Sequence, residues 1–429
     1  MAITANVLLF LLGFGIGVFF YVAQALFVLL FLLFFVDILL LYAGGTPVEA
    51  SRTMAPRFSN GDPNLVKVQV KNLLKITLSI TLIDEVPVQF QYRNMQLSLK
   101  LAPGDQQKLD YHLRPVKRGK YAFGKLNLLV CSPIGFSMRK VVAETPFEVT
   151  VYPSFLQMHR YELMAHSRNL VDLGIKRIRK IGHNTEFEQI REYVLGDDYR
   201  SLNWKATARK GELMVNLYED EKSQQIYSLI DKGRTMQMPF NGMALIDYAI
   251  NTSLAISNIA MKKQDKAGLL TFNKKVTSFL KASKRTRQLN LIMERLYAEK
   301  TAFRESSMER LYAYVKKNIR QRSLLLLYTN FETHSGMERQ LDYLRLLAKS
   351  HLLVVIFFVN TEVEKLIAQP PADTEGIYIK TIAEKMAFEK RQIIKDLQQH
   401  GIQCILTEPD QLTPNTINKY LELKARNLI

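Results

Sequence analysis

The chain has 429 residues, 48% of them hydrophobic, and carries a formal net charge of +18. That length allows two to four domains with a sizeable core, and only two cysteines, Cys131 and Cys404, rule out a disulfide framework and agree with a reducing compartment. No zinc-finger spacing, RNA-binding aromatic motif or heptad-backed basic helix accompanies the charge, which excludes the common nucleic-acid modules and leaves an anionic bilayer or an acidic protein as the partner.

The first charged side chain is Asp37 and the next is Glu49. Residues 6–43 form an apolar block too long for one ordinary span and suited to two. The expectation is a transmembrane hairpin within residues 1–45, with helices over about 6–21 and 25–43 and a tight turn near Tyr21 to Gln24. Gly13, Gly15 and Gly17 are small enough for close helix approach. The start lacks the basic region and short apolar core of a signal peptide. Arg52, Arg57, Lys67, Lys71 and Lys75 follow the block, so the positive-inside tendency puts the rest of the chain in the cytoplasm.

Residues 46–155 read as a β-sandwich-like domain. "NLVKVQVKN", "KITLSITLID", "GKLNLLVCS" and "FEVTVYPS" alternate apolar and polar residues, and "NGDP", "APGD" and "SPIG" supply turns. Residues 156–225 contain the basic cluster Lys176, Arg177, Arg179 and Lys180, a candidate contact for anionic lipid. They also contain a charged run, "REYVLGDDYRSLNWKATARKGELMVNLYEDE" (191–221), with five basic and seven acidic residues and the chain's one tryptophan. In that run Arg191, Arg200 and Arg209 can each grip a carboxylate in two-pronged fashion. Glu192, Asp197, Asp198 and Glu212 are available partners. Gly196 and Gly211 suit turns, Trp204 offers an apolar anchor, and Lys205 adds a further cation. The run reads as a folded lid, a partner-binding surface built on it, or, least favoured, a catalytic site.

Residues 226–429 alternate strand and helix. "IYSLID", "AGLLTF", "KVTSFL", "SLLLLYT", "HLLVVIFFV" and "IQCILT" read as strands, and residues 242–263, 286–298, 307–319, 381–400 and 413–427 as helices. That order implies an α/β doubly wound fold with a mostly parallel sheet covered on both faces.

The pattern R-E-Y-x-x-G-D-D-x-R-x-x-N-W-K-A-x-A-R-x-G-E-L-x-V, followed by "YEDE" and a strand ending in Asp231, resembles the signature of the bacterial "domain of unknown function 58" family. "RPVKRGKYAFG", "CSPIGF" and "KYLELKAR" are similar to it as well. The resemblance implies a von Willebrand factor type A-like domain behind a membrane anchor and, as partner, a MoxR-type AAA+ ATPase. Type A domains often hold Mg²⁺ on hard oxygen ligands after the first strand. At the corresponding positions this chain offers Asp231, Thr235, Thr329 and Asn330, with Gly233 in place of a serine and Lys232 and Arg234 alongside. The expectation is no cofactor, or at most weak Mg²⁺ binding at a degenerate site, with Lys232 and Arg234 free to meet an acidic partner.

No catalytic constellation emerges. "GKYAFGK" (119–125) mimics a phosphate loop, but Leu126 stands where its Ser or Thr should be. The histidines are scattered, and only His183, just before the charged run, merits a test. The sequence therefore reads as a non-enzymatic adaptor of the bacterial plasma membrane facing the cytoplasm. The alternatives are a cell-envelope enzyme using carboxylates of the charged run, or a lipid-surface sensor.

Overall fold

The computed structural model describes residues 2–90, 95–143, 147–166, 185–194, 199, 202–220, 223–371, 373–426 and 428. Where the sequence divides into four segments, the chain packs as two compact units, Met1–Val151 and Tyr152–Ile429. The N-terminal apolar segment joins the first unit because Leu41, near the end of the second helix, sits in the β-rich core. The start of the 156–225 segment joins the second because Met158 is buried in an α/β core.

In the first unit, helices α1 (Ala2–Gly13) and α2 (Gly17–Tyr42) come first. The turn therefore lies at Gly13–Gly17, and Tyr21–Gln24 lies inside α2. The glycines decide this, since a Cβ on Gly13 would come within 2.9 Å of the Phe20 backbone nitrogen. The two full spans of the expected hairpin are not both present. Twelve residues of α1 reach about 18 Å against a hydrocarbon core of about 30 Å. Among the described residues, α2 is the helix long and apolar enough to cross a membrane.

The strands that follow are β1 (Val48–Met54), β2 (Arg57–Ser59), β3 (Asn64–Asn72), β4 (Leu78–Asp84), β5 (Gln96–Leu101), β6 (Gln106–Leu113), β7 (Gly119–Phe123), β8 (Leu126–Cys131), β9 (Met138–Ala143) and β10 (Phe147–Tyr152). They form three sheets of order β1-β3-β6, β2-β10-β7 and β5-β4-β8-β9. β3 buries alternate residues, Val66, Val68 and Val70, as a half-solvated strand must. With Ile80, Leu128 and Val149 they share one core, so this is a β-rich unit.

The second unit opens with α3 (Phe155–His166), β11 (Thr185–Glu192), α4 (Trp204–Lys210) and β12 (Met214–Asp220). Next come β13 (Gln225–Asp231), β14 (Pro239–Phe240), β15 (Met243–Ala244), α5 (Leu245–Lys262), β16 (Lys266–Phe272), β17 (Val276–Ser283), α6 (Gln288–Ala298) and α7 (Met308–Asn318). The chain continues through β18 (Leu324–Tyr328), α8 (His334–Ser350), β19 (Leu352–Phe358), α9 (Thr361–Ala368), α10 (Thr374–Gln399), β20 (Gln403–Thr407) and α11 (Leu412–Ala425).

A mixed six-stranded sheet of order β17-β16-β13-β18-β19-β20 organises this unit. β16, β13, β18, β19 and β20 run parallel, and edge strand β17 runs antiparallel to β16. Side-chain alternation divides its apolar strands between two layers. Ile226, Ile230, Leu326 and Ile356 pack with α5, α6 and α11. Tyr227, Leu229, Leu327 and Val355 pack with α7, α8 and α10. The carboxyl ends of β13, β18 and β19 are thereby held in line, at the edge where open α/β sheets carry ligand sites.

Candidate functional site

Two places deserve the name: the charged run and the carboxyl edge of the sheet. In the charged run, β11 and β12 pair antiparallel with each other as a separate two-stranded sheet. Between them Asn203 caps α4, its side-chain oxygen accepting from the Ala206 N–H at 3.0 Å. Its Nδ2 donates to Asn216 Oδ1 at 2.7 Å, and its own N–H donates to the Met214 carbonyl at 2.8 Å. The Thr207 hydroxyl accepts from the Met214 N–H at 3.0 Å. Gly211, at φ 77°, closes the helix by donating to the Thr207 carbonyl.

This scaffold corrects one expectation. Trp204, the first residue after the cap, is 69% exposed, so it is not the apolar anchor expected of it. Two of the expected acids meet a lysine. Lys210 takes them, with Nζ 2.5 Å from Glu192 Oε1 and 4.0 Å from Glu212 Oε2. The Lys210 hydrogen bond holds the Glu192 carboxyl below its usual range. Arg191 donates to the Glu192 carbonyl at 3.2 Å. Lys205 and Arg209 are exposed on α4. Gly196, Asp197, Asp198 and Arg200 lie outside the described residues, as do His183 and the cluster Lys176, Arg177, Arg179 and Lys180.

At the carboxyl edge, Asp231 ends β13 and is fully enclosed. Its Oδ1 accepts from the Gly233 N–H at 2.7 Å and from the Ser306 hydroxyl; its Oδ2 accepts from Thr329 Oγ1 at 2.7 Å. Burial nevertheless pushes its carboxyl above the ordinary aspartate range. Thr235 contributes its backbone carbonyl, to which Asn330 Nδ2 donates at 3.3 Å. Asn330 Oδ1 in turn accepts from Lys390 Nζ at 2.8 Å. Lys232 is not free for a partner: it is buried, with Nζ 2.6 Å from Glu299 Oε2 and 3.3 Å from the Lys300 carbonyl. Arg234 is exposed. A cavity of about 460 Å³ opens over Asp231, and a second of about 500 Å³ lies beside it, with Asn330 and Glu332 lining both.

These donors do not suit Mg²⁺. Both Asp231 oxygens already accept hydrogen bonds, burial favours its neutral form, and the Asn330 carbonyl faces an ammonium. Among the described residues no three His, Cys, Asp or Glu side chains stand together as metal ligands. The phosphate-loop mimic is also accounted for. Its backbone N–H groups are taken by Glu85, the Gly124 N–H by the carbonyl at 2.9 Å and the Lys125 N–H by Oε2 at 2.9 Å. The chain there passes from β7 into β8 without a helix.

Ser306 and Lys390 are the edge residues that sequence reasoning overlooks. Ser306 brings a hydroxyl to Asp231 across 75 positions, which no local spacing encodes. Lys390 hides in "AFEKRQ", which reads as a solvated helical face.

A sheet of this kind with a charged strand–helix–strand insertion before its first strand defines an α/β class of protein. Comparison with known proteins narrows the class: residues 189–371 match the model of the family described as "Protein of unknown function DUF58". The chain is also similar to the "Uncharacterized protein YeaD" of Bacillus subtilis (strain 168), at 24% identity over 173 residues. That match covers 40% of this chain and 40% of the relative's length. Among solved structures it is similar to the conserved hypothetical protein BatB from Bacteroides thetaiotaomicron, at 10% identity, covering 47% of this chain and 99% of that one, with a TM-score of 0.32. It is similar too to PapD-like domain 7 of human CEP192, at 16% identity, covering 25% of this chain and 85% of that one, with a TM-score of 0.20.

Proposed function

We propose that this protein is a non-enzymatic adaptor of the bacterial plasma membrane, with α2 as its anchor, the sandwich-like unit as a stalk, and the mixed-sheet unit as a type A-like domain held in the cytoplasm. Its partner is a MoxR-type AAA+ ATPase, as the family resemblance implies. One observation carries the docking role. On α4 the residues that build the helix and those it presents are different sets. Asn203, Thr207, Gly211 and Met214 hold it, while Trp204, Lys205 and Arg209 face solvent. Exposed Trp and Arg are the residue types that dominate binding energy at protein interfaces.

Separation of the two sets makes the reading testable. Trp204→Ala and Arg209→Ala remove little buried surface and should shift stability by less than about 0.5 kcal/mol. Full-length protein crosslinked in cells, purified from membranes and analysed by mass spectrometry should carry the ATPase in wild type and lose it in both variants. An unchanged yield of ATPase in the variants removes α4 from the interface. Wild type recovered without an ATPase removes that partner. Trp204, the chain's one tryptophan, also supplies a direct signal: its emission should be that of a solvated indole and shift to the blue when the partner docks.

A further inference from the structure

The cavity beside the Asp231 pocket has no part in the adaptor reading, and its chemistry points elsewhere. It measures about 500 Å³, within the range of small-molecule sites. Its wall comes mainly from β19, β20, α9 and α10 and is largely apolar, with Phe358, Val363, Ile367, Met386 and Leu406 among its residues. The half-buried charge that lines it is Lys390, near the middle of α10.

The surroundings of that ammonium are unusual. Its hydrogen-bond acceptors are both neutral: Asn330 Oδ1 at 2.8 Å and the Phe358 carbonyl at 3.2 Å. An ammonium has three N–H donors, so one remains for another group. The Phe357 ring lies 5.7 Å from Nζ and contributes a cation–π contact, again without negative charge. The acids that line the same cavity, Glu332 and Glu364, are exposed and solvated. Burial accordingly pushes the Lys390 ammonium down to about 8, with Glu332 opposing the shift only in part. Charges withdrawn from water are ordinarily paired, and the acids that line the cavity with the half-buried Lys390 are both exposed.

We propose that this cavity binds a small organic acid with an apolar tail, the carboxylate on Lys390 Nζ and the tail against Val363, Ile367 and Met386. The carboxylate supplies the missing counter-charge and accepts the third N–H in a charge-assisted hydrogen bond. Tail burial supplies affinity without a demand for further polar groups. The exposed Arg391 lies at the rim, where it favours entry of anions over cations.

The test uses the full chain in lipid nanodiscs, with 4-phenylbutanoate as probe and its neutral isostere 4-phenylbutanamide as control. Reductive methylation of each lysine is followed by peptide mass spectrometry. The acid should slow methylation of Lys390 roughly tenfold or more, the scale of one charge-assisted hydrogen bond, and leave exposed lysines unchanged. The amide should protect far less. Calorimetric titration then separates charge from cavity. Lys390→Met should lose the acid while Lys390→Arg keeps it, and Ile367→Trp, which fills the cavity and retains the lysine, should lose it too. Absence of protection by the acid, equal protection by acid and amide, or undiminished binding by Lys390→Met or Ile367→Trp each overturns the proposal. None of these readouts involves α4 or an ATPase, so the adaptor reading stands or falls apart from it.

Discussion

Gly233 has no room for a side chain. A Cβ there would lie 2.3 Å from Ser306 Oγ and 2.9 Å from Asp231 Oδ1. The residue that sequence comparison treats as a lost hydroxyl ligand is thus the vacancy into which Ser306 brings another hydroxyl. Gly233→Ala should force Ser306 off Asp231 and cost about 1–2 kcal/mol, the worth of one hydrogen bond to a buried acid. Because the two changes break the same contact, Gly233→Ala combined with Ser306→Ala should cost scarcely more than Gly233→Ala alone; additive losses in denaturant unfolding would show that no contact is shared. Asp231 itself makes a pH prediction. Its folded carboxyl titrates above the unfolded value, about 3.9, because burial outweighs its three hydrogen bonds. Below the unfolded value both states hold the proton. As pH rises through the window up to the folded value, the unfolded chain ionises first and stability is lost. Asp231→Asn abolishes that loss, so the variant should gain on wild type as pH rises above about 4 in unfolding experiments. A constant difference would mean that Asp231 titrates normally.

The end of α2 is clamped to the β-rich unit from two sides. Asp37 accepts from the Ser137 N–H at 2.5 Å, from Ser137 Oγ at 2.7 Å and from the Ser132 hydroxyl. Arg139 Nη1 donates to the carbonyls of Leu41 and Gly45, each at 2.6 Å, and its guanidinium lies 4.7 Å from the Tyr42 ring centroid. Carbonyls at a helix end have no partner within the helix, and a cation there also meets the negative end of its dipole. Arg139→Ala should therefore speed amide exchange at residues 43–45 roughly tenfold or more, with Arg139→Lys in between because one ammonium replaces the planar fork. Unchanged exchange would mean that the clamp does not hold the helix end. The "CSPIGF" motif marks one side of this clamp in the sequence, but its spacing does not say that Asp37 is the partner. Elements were legible where burial follows a simple period. "NLVKVQVKN" coincides with β3 residue for residue, because every second position is buried. "HLLVVIFFV" contains β19 because both faces of that strand are covered. α8 is far harder to read: Met337, Leu341, Leu344 and Leu347 form a narrow apolar stripe among charged residues. The turn between α1 and α2 was misplaced because hydropathy is uniform across it, and only the glycines distinguish the break.

At the scale of the whole molecule, the carboxyl edge was legible as a place and illegible as chemistry. Asp231 and Asn330 stand at strand ends that the sequence reveals, whereas the groups that set their charge, Ser306 and Lys390, arrive from loops and helices 75 and 60 positions away. The membrane arrangement follows a simpler rule. The twenty residues Gly17–Val36 carry no charge and, as helix, reach about 30 Å, the thickness of the hydrocarbon core. Asp37 follows at once, so on the proposed reading the clamp to the β-rich unit falls at the membrane surface and little free chain separates anchor from stalk. Arg52, Arg57, Lys67, Lys71 and Lys75 follow α2. The proposed cytoplasmic placement of everything after α2 rests on those basic residues. In cells stripped of their outer barrier, added protease should then leave the chain from Ala43 onward intact, and the same protease should degrade it in inverted membrane vesicles. The opposite pattern would put both units outside the cell, deprive the adaptor of any cytoplasmic ATPase, and make the carboxyl edge, with Lys390 and its cavity, a site for extracellular ligands.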